Sequence, residues 1–319
     1  DETSRMIKRA FTSGLMSAGV IVRDLQVTPS PIVRQELSNG KYSGGIHIRR
    51  SPYNKNVTDL IFFDSDGRDL PIGKTKSVER IFAAEDFVRA TNEKIGSLYF
   101  PERTIESYRE RFLSSLNIDV ISESRLKVVI DYCNGMISTI FPNILGMFNC
   151  QVVSLNAYID RRKLSRTRED NEIGIKEISQ IMKSLKFDVG FMIDPGSEKI
   201  SLLDDEGNFI DENRLLSIVT KLFLITHPDT HKIAVPVNAS AEIDIIAKEF
   251  GTQVVRIKSS HFSMMQATLD KDVKFVGGTR GGFIFTDFFF AVDGIYSISK
   301  IIEMLAISKV KLSEFNNTI

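Results

Sequence analysis

The sequence predicts an α/β protein, because short apolar runs of strand length alternate with segments of helical periodicity. The runs 128–131, 152–155 and 187–194 have the length of buried strands. The segment 173–185, between the last two, repeats apolar residues at helical spacing. This alternation favours parallel sheets joined by right-handed crossovers.

Chain length indicates more than one domain. With 319 residues the chain is too long for one typical core, so we expect two or three domains. We predict domains at 1–125, which ends in a helical connector, at 126–225 and at 226–319. Because the first residue is Asp1 rather than Met, we expect a piece of a longer protein.

Composition and charge exclude several classes of function. The 41 basic and 41 acidic residues balance, so bulk charge does not favour a nucleic acid or a membrane surface as partner. No apolar run reaches the roughly 18 residues of a membrane span, and no signal peptide opens the chain. Cys133 and Cys150 are too few for a disulfide scaffold or a zinc site and indicate a reducing cytoplasm. The sequence leaves open whether the chain forms a homo-oligomer.

The first unit is predicted to alternate helices and strands. Its predicted elements are a helix at 4–18, strands at 20–25, 44–51 and 60–63, and helices at 78–82, 87–90 and 101–116. Gly19 ends the first helix, and Pro52 ends the second strand because proline has no N–H for the ladder. We expect the helical stretch to pack on the first sheet.

The later units follow the same pattern. Their predicted elements are strands at 128–131, 152–155, 187–194, 200–204, 232–237 and 253–257, and helices at 141–148, 173–185, 241–250 and 295–306. The charged stretch 161–172 is predicted to be a solvated connection. The glycine-rich stretch 274–283 lacks the Gly-Lys-Ser/Thr of a nucleotide-binding P-loop.

A candidate site lies where the second strand ends. Ser51 follows Arg49 and Arg50 at this point, and loops at strand ends commonly carry the ligand chemistry of α/β sheets. A guanidinium can hold a phosphate through two parallel hydrogen bonds. We therefore interpret Arg49 and Arg50 as candidate phosphate ligands.

The surrounding motifs resemble the first domain of the phosphohexomutase superfamily. The family pattern runs from a Thr-Pro turn through Gly-Gly-Ile to the serine loop Thr-Ala-Ser-His-Asn-Pro. The turn at 27–31, Gly-Gly-Ile at 44–46 and Ser51 match its spacing without a gap, and the apolar run 60–64 follows. By this resemblance Ser51 stands at the catalytic phosphoserine position. Its neighbours differ, since arginines replace the preceding Thr and Ala, and Pro52 and Tyr53 replace the following His and Asn.

The family's magnesium loop, Asp-Gly-Asp-Ala-Asp-Arg, resembles the stretch 194–199. The resemblance implies a magnesium ion, with Asp194 and Glu198 as the remaining ligands and Lys199 in place of the phosphate-binding arginine. Gly196 replaces the second aspartate. Since magnesium requires near-octahedral oxygen ligands, we predict that this loop binds it weakly.

The family's sugar loop, Gly-Gly-Glu-x-Ser-Gly-His, resembles the stretch 277–283. Thr279 stands in place of its glutamate, with Arg280 beside it, and these two are the candidate sugar-binding residues. Gly281 replaces the serine and Phe283 the histidine. A lost buried polar contact costs roughly 1–3 kcal/mol, so we expect weak orientation of the sugar.

The resemblance covers residues 4–306 and implies three successive αβα domains with mixed sheets, without the family's opening strand or its fourth domain. The Arg-x-Ser-Pro-Tyr pattern at 49–53 looks most like the mutase-like segment of bacterial mannose-1-phosphate guanylyltransferase fusions. That resemblance implies a fused or partner nucleotidyltransferase domain.

Three hypotheses follow from these residues. The first is a degenerate module that binds a hexose phosphate or supports the nucleotidyltransferase, without mutase turnover. The second is an active phosphomannomutase or phosphoglucomutase, an isomerase that uses phospho-Ser51. The arginines 49 and 50 would then replace part of the magnesium charge. The third is a structural scaffold that binds no sugar.

Overall fold

The computed structural model describes residues 1–316, and its first third contains two small sheets. The helices of this part are α1 (Glu2–Ser17), α2 (Ser30–Ser38) and α3 (Ile72–Ala84), and its strands are β1 (Val22–Arg23), β2 (Gly45–Ser51), β3 (Asn54–Phe63) and β4 (Leu98–Tyr99). β2 and β3 form an antiparallel hairpin, and β1 pairs with β4 in parallel. The hairpin places Arg49 opposite Asp59.

The middle third is built on one five-stranded mixed sheet. Its helices are α4 (Thr104–Ser114), α5 (Ile118–Ser124), α6 (Phe141–Leu145) and α7 (Arg168–Leu185), and its strands are β5 (Lys127–Asp131), β6 (Gln151–Leu155), β7 (Val189–Ile193), β8 (Ile200–Leu203) and β9 (Phe209–Ile210). The strand order is β6-β5-β7-β8-β9. Strands β6, β5 and β7 run parallel to one another, β8 runs antiparallel to β7, and β9 runs antiparallel to β8. Because β7 ends at Ile193, Asp194 leaves the sheet at its carboxyl edge.

The last third contains a four-stranded sheet of order β11-β10-β12-β13. Its helices are α8 (Glu212–Thr226), α9 (Glu242–Glu249), α10 (His261–Ala267), α11 (Gly294–Ser308) and α12 (Leu312–Asn316), and its strands are β10 (Lys232–Pro236), β11 (Gln253–Ile257), β12 (Val273–Gly277) and β13 (Phe283–Phe285). Only β13 runs antiparallel to its neighbour. The expected arrangement of successive α/β/α units with mixed sheets is confirmed.

One hydrophobic core joins the two larger sheets. Helices α8 and α11 pack against each other inside it, and residues 294–306 of α11 are all buried. Asp293 caps this helix by accepting a hydrogen bond from the Tyr296 N–H at 3.0 Å. The buried Tyr108 hydroxyl of α4 donates to Asp293 Oδ2 at 2.7 Å. This bond joins α4, the helix that connects the first unit to the second, to the third unit.

Several sequence predictions fail where long-range packing decides the structure. The segment 87–90 is not helical, and α3 has no buried residue, so this helix does not pack on the first sheet as expected. The turn predicted around Pro29 instead opens α2, whose apolar side is buried. Helices α8 and α10 were not predicted. The helices of residues 1–316 are too short or too polar to span a bilayer.

We expect Tyr108→Phe to destabilise the protein by about 1–3 kcal/mol, the cost of leaving a buried carboxylate without its donor. Burial raises the pKa of Asp293 to about 6, and losing the Tyr108 hydroxyl raises it further. The loss of stability should therefore be largest above pH 6, where Asp293 is charged, and smaller below it. Urea unfolding at several pH values measures this.

The matched control is Tyr99→Phe, because the Tyr99 side chain is exposed. It should change stability by less than about 0.5 kcal/mol. Equal effects of the two substitutions would contradict a specific role for the Tyr108 hydrogen bond.

Candidate functional site

Ser51 lies at the tight turn between β2 and β3 and is buried. The hairpin register shifts between Arg50 and Ser51, which separates the serine from the regular ladder. The Tyr53 N–H lies 3.4 Å from Ser51 Oγ, so the hydroxyl oxygen accepts at most a long hydrogen bond. The hydroxyl therefore keeps hydrogen-bonding capacity for a further partner.

The charged stretch after β6 holds this turn in place. The Ser165 hydroxyl donates to the carbonyl oxygen of Ser51, and the Arg166 N–H donates to that of Pro52 at 2.8 Å. Residues 161–163 are exposed, as expected of a solvated connection, whereas 164–166 are partly buried against the serine turn. The prediction of a solvated connection is therefore wrong for 164–166, and residues 168–172 of the predicted connection form the start of helix α7.

The loop 194–199 is organised by the Asp194 carboxylate. Its Oδ1 accepts hydrogen bonds from the N–H groups of Glu198 at 2.8 Å and Lys199 at 2.6 Å. Its Oδ2 accepts from the Gly196 N–H at 3.2 Å. Both oxygens are thus engaged by the backbone of their own loop.

Arg49 from β2 reaches into this loop and pairs with Glu198. Its Nη2 lies 3.0 Å from Glu198 Oε2, and its Nε lies 3.5 Å from Asp59 Oδ2. The Glu198 residue is only 3% exposed, so the pair is largely shielded from water. The interaction joins residues 149 positions apart and connects the first unit to the second.

Positive charge surrounds Glu198. Burial alone would raise the pKa of this carboxyl, but Arg49, His261 and Arg34 together hold it well below its usual range. Burial, followed by the charge of Glu198, raises the pKa of Asp194. Glu198 is therefore the carboxylate that neutralises the Arg49 guanidinium.

Lys199 and Arg50, two further predicted phosphate ligands, lie in different surroundings. Lys199 Nζ lies 4.6 Å from the centre of the Tyr53 ring, and partial burial lowers the pKa of this lysine. Arg50 points elsewhere, since its Nη1 lies 3.5 Å from the Arg161 carbonyl oxygen and its Nη2 lies 3.7 Å from Asp1 Oδ1. The structure thus separates the side chains of the two arginines that the sequence suggested as a pair.

The glycine-rich turn carries Thr279 and Arg280 to the edge of the second unit. The Ile200 N–H donates to the Gly281 carbonyl oxygen at 2.9 Å, which docks the turn on β8. Gly281 has φ +73°, and a Cβ there would lie 2.0 Å from the Ile200 carbonyl oxygen, so glycine is required. Thr279 is half-buried and Arg280 is exposed.

The residues of the loop do not fit a magnesium ion. The Arg49 guanidinium already lies against Glu198 and Gly196, and both Asp194 oxygens accept backbone hydrogen bonds. A Cβ at Gly196 would lie 2.8 Å from Arg49 Nη1 and 2.8 Å from Asp194 Oδ2, so no third carboxylate can stand there without displacing the arginine. Within residues 1–316 no three His, Cys, Asp or Glu side chains cluster in a way that could hold a metal.

Sequence reasoning missed Asp59, Ser165, Arg166, Arg34 and His261 as parts of this site. Asp59 is the one with a local signal, since it lies opposite Arg49 in a hairpin whose register could have been drawn. The others reach the site through contacts between distant segments. No local pattern marks them.

Comparison with known proteins agrees with this architecture. Family profiles described as phosphoglucomutase/phosphomannomutase α/β/α domains I, II and III match residues 2–89, 106–207 and 211–319. The chain is 30% identical over 312 residues to a phosphoglucomutase/phosphomannomutase of Thermococcus kodakarensis, covering 98% of this chain and 68% of that protein.

Solved structures share the fold. A putative phosphomannomutase from Thermus thermophilus superposes with a TM-score of 0.84 at 16% identity, covering 99% of this chain and 72% of that one. An N-acetylphosphoglucosamine mutase from Aspergillus fumigatus, in complex with GlcNAc-6P and magnesium, superposes with a TM-score of 0.61 at 10% identity, covering 97% and 77%.

The three α/β/α units place the protein in the phosphohexomutase superfamily. Within it, the chain belongs to the phosphoglucomutase/phosphomannomutase family.

We expect Arg49→Met to destabilise the protein by about 3–5 kcal/mol near pH 7, because it leaves Glu198 buried without its counter-charge. The folded-state pKa of Glu198 is depressed in the wild type, so the stability from this pair is present above its ordinary pKa of 4.5 and is lost as pH falls below it. The difference between variant and wild type should therefore narrow in acid. Urea unfolding from pH 7 to pH 4 measures it.

Glu198→Gln in the Arg49→Met background should recover part of the loss, since no buried charge then remains. The control is Arg103→Met, which breaks an exposed ion pair with Glu110 and should cost less than about 1 kcal/mol. A loss at Arg49 as small as that at Arg103 would contradict the importance of the buried pair.

Proposed function

We propose that this chain binds a hexose phosphate beside Ser51 and does so without magnesium-dependent mutase turnover. The observation that carries the proposal is the Arg49–Glu198 ion pair, with Nη2 and Oε2 3.0 Å apart. This guanidinium places a permanent positive charge in the loop that, by family resemblance, would hold a metal. A guanidinium remains charged at any physiological pH and needs no exchangeable cofactor.

Basic side chains around the serine turn support an anionic ligand. Lys199 lies over the Tyr53 ring, and the charge of Arg280 reaches the same tyrosine. These two cations come from different units, and the charge of Arg280 also acts on Lys199. Charge-assisted hydrogen bonds from such groups are the usual means of holding a phosphate.

The sugar side of the proposed site is less specific. Phe283 stands where the family carries a histidine, and it lies in the core, stacked on Phe275 with ring centres 5.9 Å apart. It therefore cannot hydrogen-bond a sugar hydroxyl. Thr279 and Arg280 remain as the polar groups of this turn, which favours recognition of the phosphate over the sugar.

A second candidate is an active mutase that uses phospho-Ser51. The names of relatives and the burial of Ser51 at a tight turn favour it. In this case the phosphorus–oxygen bond to Ser51 Oγ breaks and a new one forms to a hexose hydroxyl oxygen, and the proton of that hydroxyl passes through a base to the departing Ser51 oxygen, which becomes a hydroxyl. The predicted nucleotidyltransferase domain is needed by neither candidate and stays a prediction from the sequence.

Binding calorimetry with mannose 1-phosphate and glucose 1-phosphate tests the proposal. We expect binding that is equal in magnesium and in EDTA, because Lys199 and Arg280 supply the positive charge and the loop 194–199 does not fit the metal. Lys199→Gln and Arg280→Gln should each weaken it about tenfold, the loss of one charge-assisted contact. Lys248→Gln, at an exposed position on α9, is the control and should leave the affinity unchanged.

A coupled mutase assay with mannose 1-phosphate, a hexose bisphosphate and magnesium separates the two candidates. We expect no turnover. Magnesium-dependent turnover that disappears in Ser51→Ala would establish the second candidate instead, and mass spectrometry would then find a phosphate on Ser51. Absence of binding by every hexose phosphate tried would reject both candidates in favour of a scaffold.

A further inference from the structure

A cavity of about 100 Å³ lies behind the Ser51 turn, between the first and second units. Its walls are the 27–30 turn, the side chains of His47, Arg49 and Arg50 from β2, and the 195–197 loop. This volume is large enough for several water molecules or for a tetrahedral oxyanion.

Four buried polar atoms without a hydrogen-bond partner belong to residues that line this one cavity. They are Ser30 Oγ, His47 Nδ1, Arg49 Nη1 and Ser197 Oγ. Ser30 and Ser197 are both 0% exposed. Buried polar groups are normally paired, so four at one cavity require a polar occupant, either water or an ion.

The charges around the cavity favour an anion. Arg49 lines it with Nη1 unpaired, whereas the Arg50 guanidinium at its wall is turned toward Asp1, and none of the lining residues within 1–316 carries a carboxylate. Helix α2 begins at Ser30 without a side-chain cap, so the positive end of its dipole is not neutralised at this wall. Glu198 pairs with Arg49 Nη2, which leaves Nη1 as the free donor.

The tautomer of His47 determines which hydrogen-bonding group a ligand in the cavity must offer to its ring. Its Nε2 lies 3.1 Å from the Thr28 carbonyl oxygen, and a carbonyl can only accept, so Nε2 carries the hydrogen. Burial, followed by the charge of Arg49, lowers the pKa of His47 to about 4, so the ring is neutral near pH 7. Nδ1 is then an acceptor, and the ligand must donate a hydrogen bond to it.

We infer that this cavity is a binding site for a phosphate group that retains one proton. Its charged oxygens accept from Arg49 Nη1 and from the Ser30 and Ser197 hydroxyls, while its P–OH donates to His47 Nδ1. Sulfate has the same shape but no proton near pH 7, so it leaves Nδ1 unpaired. The inference does not depend on hexose binding or on turnover.

Calorimetry with inorganic phosphate and with sulfate at equal ionic strength and pH 7 tests the inference. We expect phosphate to bind at least about tenfold more tightly than sulfate, because a buried acceptor left unpaired carries a full desolvation penalty. Ser30→Ala and Ser197→Gly should each weaken phosphate binding about tenfold. Glycine suits position 197 because Ser197 has φ +63°.

Ser38→Ala is the control, since Ser38 lies in the same helix, does not line the cavity and donates its hydroxyl to the Gln35 carbonyl oxygen at 2.7 Å. It should leave the phosphate affinity unchanged. Thermal unfolding midpoints of all variants establish that they are folded. No binding of phosphate, equal binding of sulfate, or unchanged affinity in the Ser30 and Ser197 variants would each overturn the inference.

A titration of phosphate in the presence of saturating mannose 1-phosphate identifies the source of the group. Retained binding assigns the cavity to inorganic phosphate. Competition that is weakened by Ser30→Ala but not by Lys199→Gln assigns it to the phosphoryl end of the sugar phosphate. Competition abolished by Lys199→Gln and insensitive to Ser30→Ala places the group at the outer cleft and rejects the cavity site.

Discussion

The buried contact between Arg49 and Glu198 determines how the first two units fit together. One partner is on the hairpin of the first unit and the other is in a loop of the second, so neither side chain can be buried favourably alone. The charges of Arg34 in α2 and His261 in α10 act on the same carboxylate, and the three residues line one small pocket. A single carboxylate thus links side chains from all three units, and the geometry at Ser51 depends on that junction.

A guanidinium and a divalent ion neutralise charge differently. Arg49 carries one fixed charge on a planar group, with donors in set directions, and it cannot exchange a ligand during a reaction. Magnesium carries two charges and readily exchanges water and phosphate oxygens among its octahedral positions. An arginine in the place of a metal ion therefore favours holding an anion over stabilising the charge that develops when a phosphoryl group is transferred.

The sequence was sufficient for the parts of the fold that local patterns determine. The strand 128–131 is an uninterrupted apolar run, and Ser51 stands where Pro52 must end a strand. Helix α8 was missed because its residues 215–220 and 222–224 form a nearly continuous buried stretch, and an apolar run of this kind does not by itself distinguish a helix from a strand. Helix α2 was missed because its Pro-Ser-Pro start is typical of a turn.

Within the site, the predicted residues Ser51, Asp194, Glu198 and Lys199 do lie in adjoining loops of the structure. The role of Arg49 could not be derived, since its partner is 149 residues away and charge pairing at that distance has no sequence period. The unpaired polar atoms of the cavity could not be predicted from the sequence either. Each belongs to a residue type that is common in turns and strands, and only the assembled fold shows that they share a space.

The hydrogen bonds from Ser165 and Arg166 to the carbonyls of the serine turn carry a practical consequence for genetics. A hinge movement of the second unit would therefore move the backbone of the Ser51 turn with it. On the proposed role of Ser51 in ligand binding, alleles of Ser165 and Arg166 belong in the same phenotypic class as alleles of the serine, although neither side chain has to touch a ligand.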